Sequence, residues 1–138
     1  MTVIAKNRAK SGEKGDAFSR HRFAAVVEPL TTEPSFLSRP MFGCVGCYVH
    51  GRLVVVLADR REPWQGLLVP TEKRAHASIL GEFPAVRVHP ILKKWLYLPH
   101  AVRRFAGAAL GIVDRILAGD PRFGVEPPVR RLPHRRAV

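Results

Sequence analysis

The sequence predicts an α+β fold, a two-layer sandwich in which a mostly antiparallel sheet of about five strands carries helices on one face. Three observations predict it. From Met41 to Val49 the residues follow the period of a strand, His50-Gly51 makes a short turn, and Leu53 to Leu57 is a second apolar strand, which is the pattern of a β-hairpin. Between Val102 and Leu117 they recur at steps of three and four, the stripe of a helix that must lie on something apolar. The elements in between give the order α-β-β-β-α-β-β-α, and hairpin-joined strands flanked by helices make a layered sheet with one face covered.

Residues 1–15 are a basic segment without apolar periodicity, expected to be disordered. A first helix is expected over 16–28, with Asp16 as N-cap, Phe18, Phe23, Val26 and Val27 gathered on one side, and Pro29 ending the run. Thr31 to Pro40, with Pro34 and Pro40 and few apolar residues, reads as a loop. The first strand then runs through Phe42, Cys44, Gly46 and Tyr48, and its two interior glycines mark a bulge or a close approach of another element. Leu53 to Leu57 is its hairpin partner, and Gly66 to Pro70 a third strand after the charged loop Asp59 to Gln65. Thr71 is expected to cap a helix that carries Ala75, Ile79 and Leu80 inward and ends near Gly81. Ala85 to Val88 and Lys94 to Leu98 are two more short strands. The closing helix has Val102, Phe105, Ala109, Ile112 and Ile116 on its apolar stripe and Gly119 in the C-cap position. Residues 16–120 thus form the domain, and residues 121–138 a Pro/Arg-rich extended tail.

The run Arg39-Pro-Met-Phe-Gly-Cys-Val-Gly-Cys-Tyr-Val-His-Gly51 resembles the signature of the TfoX/Sxy N-terminal domain, in which a basic residue precedes Met-Phe-Gly-Gly and a glycine-aromatic strand leads through a tight turn into a second apolar strand. Lys94-Trp-Leu-Tyr-Leu-Pro99 before an amphipathic helix is similar to the end of stand-alone members of that family. The likeness spans about residues 16–120, and its most specific part is the Met41-Phe42-Gly43 strand with the hairpin. It implies the same sheet-and-helix arrangement, a bacterial cytoplasmic protein, and a link to the regulation of DNA-uptake competence, where full-length members act as transcriptional co-activators.

The net charge of +12 is concentrated at the ends: residues 1–20 hold five basic and two acidic side chains, and residues 121–138 five and one. Basic tails either neutralise nucleic-acid phosphates or serve as solubilising ends. No apolar run approaches the roughly 18 residues that cross a bilayer, and the first 14 residues contain no signal-peptide core. Two cysteines are too few for a disulfide framework, so a reducing, cytoplasmic location is expected.

Cys44-Val-Gly-Cys47 has the spacing of a thiol-redox motif, but within a strand an odd separation sends the two sulfurs to opposite faces, where free cysteines act as small apolar residues. The six histidines show no ligand spacing, no second cysteine pair completes a zinc site, and the acidic residues are spread singly. No catalytic residue, metal, cofactor or small-molecule substrate is therefore expected. Trp95 alternates with Tyr97, and the two rings either share a core face or project as a binding platform. Lys93, Lys94, Arg103 and Arg104 flank that strand and could give the platform a basic rim, and Arg130, Arg131, Arg135 and Arg136 extend the basic surface into the tail. Three functional classes follow. The first is a non-enzymatic binding or regulatory module acting through protein–protein contact, as a homodimer through the open sheet face or with another protein. The second is a nucleic-acid-associated regulator using the basic tails and the 93–104 rim, and the third a thiol-redox or other small enzyme.

Overall fold

The computed structural model describes residues 14–127. The alternating stretch forms the centre of a six-stranded, wholly antiparallel sheet: β1 (Leu37–Met41), β2 (Cys44–Val49), β3 (Arg52–Asp59), β4 (Gln65–Val69), β5 (Arg87–Val88) and β6 (Leu96–Pro99), in the spatial order β1-β2-β3-β4-β6-β5. The helices are α1 (Asp16–Ser19), α2 (His76–Glu82) and α3 (Phe105–Leu117), with 3-10 turns at Ala24–Thr32 and Lys73–Ala75. The α+β architecture is the expected one, with one strand more than the sequence showed.

That extra strand is β1, which occupies residues read as loop. Pro34 and the second proline at 40 argue against a strand, yet β1 lies on the sheet edge, where a residue without an N–H is tolerated. Phe42 and Gly43, expected inside a strand, form the two-residue turn joining β1 to β2, with φ of 50° and 79°. Two left-handed residues in succession match the twist of a tight hairpin, as they do again at His50 and Gly51, the turn the sequence did predict.

The first helix is also corrected. Only Asp16–Ser19 is α-helical, Gly15 and not Asp16 is its N-cap, and the chain restarts as a 3-10 turn that runs through Pro29 to Thr32. The loose spacing of Phe18, Phe23 and Val27 is satisfied by these two short pieces, each of which buries its apolar residues. Thr71 does not cap α2. It is buried, and its hydroxyl donates to the Arg122 carbonyl oxygen at 2.6 Å. Residues 121–127 are accordingly part of the fold and not a tail: Phe123 is buried in the core, Val125 exchanges backbone hydrogen bonds with Leu53, and Arg122 pairs with Asp120 and Glu82. The expected segment 1–15, apart from Lys14 and Gly15, and the tail arginines 130, 131, 135 and 136 lie outside the described residues.

α3 is three residues shorter at its start than the apolar stripe, because Arg104 takes a left-handed conformation (φ 61°) and Val102 remains in the preceding turn. Gly119, with φ 81°, follows its end as expected.

Every helix turns its buried side chains to the same side of the sheet. Phe18, Leu30, Ile79, Phe105, Ile112 and Ile116 join Val45, Cys47, Val55, Leu57, Leu67 and Leu98 in one core. Fully burying an aliphatic or aromatic side chain of this size stabilises by roughly 1.5–3 kcal/mol, so this layer is the main source of stability. A register shift between Cys47 and Tyr48 leaves Val54 without a partner in β2, which puts the adjacent Val54 and Val55 both in that core. The bulged residue thus lies in β3 and not at either glycine of the preceding strand, where Gly46 pairs regularly with Val56 and Gly43 sits in the turn.

Candidate functional site: a groove on the face without helices

Because paired residues on adjacent strands point the same way, the register defines a row across the second face: Arg39, Gly46, Val56, Leu68, Tyr97 and Arg87. The centre of this row is apolar and, with Cys44, Leu53 and Ala58, forms a second buried cluster to which no helix contributes. Gly46 keeps the row low. A Cβ there would sit 2.8 Å from the Met41 sulfur and 3.1 Å from a Leu53 methyl, so the glycine makes room for Met41 to lie across the strand.

Two loops rise over this face. In the β3–β4 loop the Arg60 amide donates to the Trp64 carbonyl at 2.8 Å, which closes the turn and turns Trp64 toward the sheet. In the β5–β6 loop the His89 amide donates to the Trp95 carbonyl at 3.0 Å and the Trp95 amide to the Leu92 carbonyl at 2.9 Å, which sets Leu92 and Trp95 beside the same cluster.

His89 joins the two loops. It is buried, its Nδ1 accepts from the amides of Ile91 (3.0 Å) and Leu92 (2.9 Å), and its Nε2 faces the Pro63 carbonyl at 2.9 Å. A nitrogen that accepts from two amides carries no proton, so the ring is neutral and Nε2 is the donor to Pro63. Burial holds its pKa below the ordinary value, against the opposing pulls of the Pro63 carbonyl and Glu62. The ring lies between Trp64, tilted to it with centroids 4.4 Å apart, and Tyr97, which it meets edge-on at 5.2 Å.

Tyr97 anchors the β3–β4 loop from below. Its hydroxyl accepts from the Gln65 amide at 2.8 Å and lies 2.9 Å from a Glu62 carboxylate oxygen, to which it donates. Desolvation, foremost, and the Glu62 charge push its pKa up to about 12.

Between the loops and the β1–β2 turn is a groove of about 840 Å³. Its floor is Cys44, Val56 and Leu68, its walls are Met41 on one side and Trp64, Leu92 and Trp95 on the other, and Phe42 stands at its mouth. Three cations line it, Arg60, Arg61 and Lys94, and no acidic side chain does. Arg60 donates to the Phe42 carbonyl at 3.2 Å, tying the loop to the turn. Phe42 itself is 89% exposed and has a positive φ, an uncommon combination for a bulky apolar residue.

The two sulfurs of Cys44-Val-Gly-Cys47 lie on opposite faces, as their spacing predicts: Cys47 is in the helix-covered core and Cys44 in the groove floor. Burial raises both thiol pKa values, that of Cys44 against a smaller lowering by Arg60. Among the described residues no three His, Cys, Asp or Glu side chains gather as metal ligands, and no helix is long and apolar enough to cross a membrane.

Compared with known proteins, the chain matches no family model, no curated protein and no solved structure.

The residues singled out in the sequence are distributed by this geometry. Tyr97 is fully buried, so it is core and not part of an exposed platform, and its ring is covered by His89 and approached by Arg87 rather than by the last helix. Trp95 is partly exposed and lines the groove with Lys94, while Lys93 is exposed beside them. Arg103 and Arg104 are exposed at the other end of β6, next to α3, so they do not form one rim with Lys93 and Lys94. Met41, Phe42, Arg60, Arg61 and Leu92 complete the groove and were not foreseen. The signal available for two of them was Arg60-Arg61 ahead of Pro63-Trp64 in one loop.

Proposed function

We propose that the chain is a non-enzymatic binding or regulatory module of the TfoX N-terminal kind, which works by holding another molecule in the second-face groove. The observation that carries this reading is the groove itself: about 840 Å³, within the range of pockets that hold a small organic molecule, apolar in its floor and walls, with an almost fully exposed phenylalanine at its mouth. The likeness of residues 39–51 to the TfoX signature supports the regulatory half of the reading, and those residues build β1, β2 and the turn that carries Phe42. The thiol-redox alternative is disfavoured by two sulfurs that a sheet separates.

An uncharged fluorescent apolar probe, N-phenyl-1-naphthylamine, tests it. One probe per chain is expected to bind, and Leu92→Glu, which puts a carboxylate on the groove wall, is expected to weaken binding at least tenfold while the melting transition is retained. Failure of the parent chain to bind the probe, or equal binding by the variant, contradicts the reading.

A further inference from the structure

Resting on that reading, we infer that the groove's occupant is a small amphipathic anion, an alkyl chain of middle length ending in one carboxylate or similar acidic head. The floor and walls are hydrocarbon, sulfur and indole, a lining that takes an apolar chain. The polar side chains on the lining are Arg60, Arg61 and Lys94, all cationic, and among the described residues none of them is in an ion pair. The side chains of Arg61 and Lys94 make no hydrogen bond there either, and Arg60 makes only the one to the Phe42 carbonyl. Three cations set around an apolar groove with no acid among them complement a single acidic head.

Charge also disfavours two other occupants, the chain's own ends and a second copy of it. The chain's own ends are strongly basic, with five basic side chains against one acidic in residues 121–138, and a second copy brings a further +12. Both repel the rim that the head group would neutralise.

The two tryptophans of the chain, Trp64 and Trp95, both stand on the groove wall, so intrinsic fluorescence reports occupancy directly. The intact chain is titrated below micellar concentrations with decanoate, octanoate, decanol and decyltrimethylammonium. Decanoate is expected to shift the emission saturably at one per chain, and octanoate to bind about tenfold more weakly, the loss expected for two buried methylenes. Decanol and the cation are expected to bind at least tenfold more weakly than decanoate. The double variant Arg61→Gln/Lys94→Gln, whose parent side chains hold nothing else in place, is expected to weaken decanoate about tenfold and leave decanol unchanged. Equal binding of decanoate and decanol, or decanoate binding that survives the double substitution, overturns the inference. If the uncharged naphthylamine occupies the groove and decanoate shows no preference, the inference alone fails. If neither binds, the module reading fails with it.

Discussion

His89 donates a hydrogen bond from Nε2 to the carbonyl of Pro63 at 2.9 Å while its Nδ1 accepts from two amides of its own loop. The contact ties the β3–β4 loop to the β5–β6 loop and so holds the two tryptophan-bearing walls of the groove at a fixed separation. The two bonds that Nδ1 accepts, which seat the ring in its own loop, exist only for the neutral form, because protonation of Nδ1 would set a donor against two donors.

Acid is therefore expected to loosen the groove. Burial keeps the folded-state pKa of His89 below 6.5, so the unfolded chain takes up this proton first as pH falls, and the contribution to stability is complete above 6.5 and lost below it. His21, whose pKa burial also lowers despite Asp59 and whose Nδ1 accepts from the Phe23 amide, acts in the same direction. Melting curves between pH 7.5 and 5 should show a falling midpoint. In His89→Asn, where the titrating ring is gone, the fall should be shallower, and an unchanged pH dependence would show that His89 is not the group responsible.

Tyr97→Phe leaves the ring in the second-face cluster and removes the hydroxyl that receives the Gln65 amide. A buried donor without a partner costs about 1–3 kcal/mol, so denaturant unfolding should report a loss in that range. Naphthylamine affinity should fall with it, because the loop bearing Trp64 is anchored there.

Two glycines of α3 should respond oppositely to alanine. A Cβ at Gly107 meets nothing within 4 Å, so Gly107→Ala should raise stability by about 0.5–1 kcal/mol through helix propensity alone. A Cβ at Gly111 would lie 2.9 Å from the Phe83 ring, and Gly111→Ala should be neutral or destabilising. Chemical denaturation of the pair settles the contrast.

Phe123→Ala should cost about 3–5 kcal/mol, the usual range for an emptied aromatic core site. A surface-sized effect below 0.5 kcal/mol would mean that residues 121–127 are not packed as described.

Incubation in an oxidising glutathione buffer should produce no disulfide between Cys44 and Cys47, since the sheet stands between their sulfurs. Intact mass after alkylation in denaturant reads this directly, a chain two hydrogen atoms lighter that takes up no alkyl group being the contrary result.

The central hairpin was legible because two strand-like apolar stretches, residues 44–49 and 53–57, meet at His50-Gly51, although the bulge at Val54 leaves no mark in that pattern. α3 was legible because a 3.6-residue stripe over Phe105 to Ile116 has no other reading. β1 was not, since its two flanking and internal prolines argue locally for a loop and only its edge position makes Pro40 acceptable. The stretch after Asp120 misled for a similar reason: Pro and Arg dominate its composition, and the two residues that fasten it, Phe123 and Val125, are isolated in the sequence. The groove lay furthest from view. Its walls come from positions 41, 64, 92 and 95, which no spacing relates, and only the pairing of five strands brings them around one floor.

The most direct measurement is a map of amide and side-chain NMR shifts on adding the uncharged naphthylamine to the labelled chain. Changes should concentrate at Cys44, Val56, Leu68, Trp64, Leu92 and Trp95, with α2 and α3 silent. Changes centred on the helices, or none beyond the scatter of unbound residues, would contradict it.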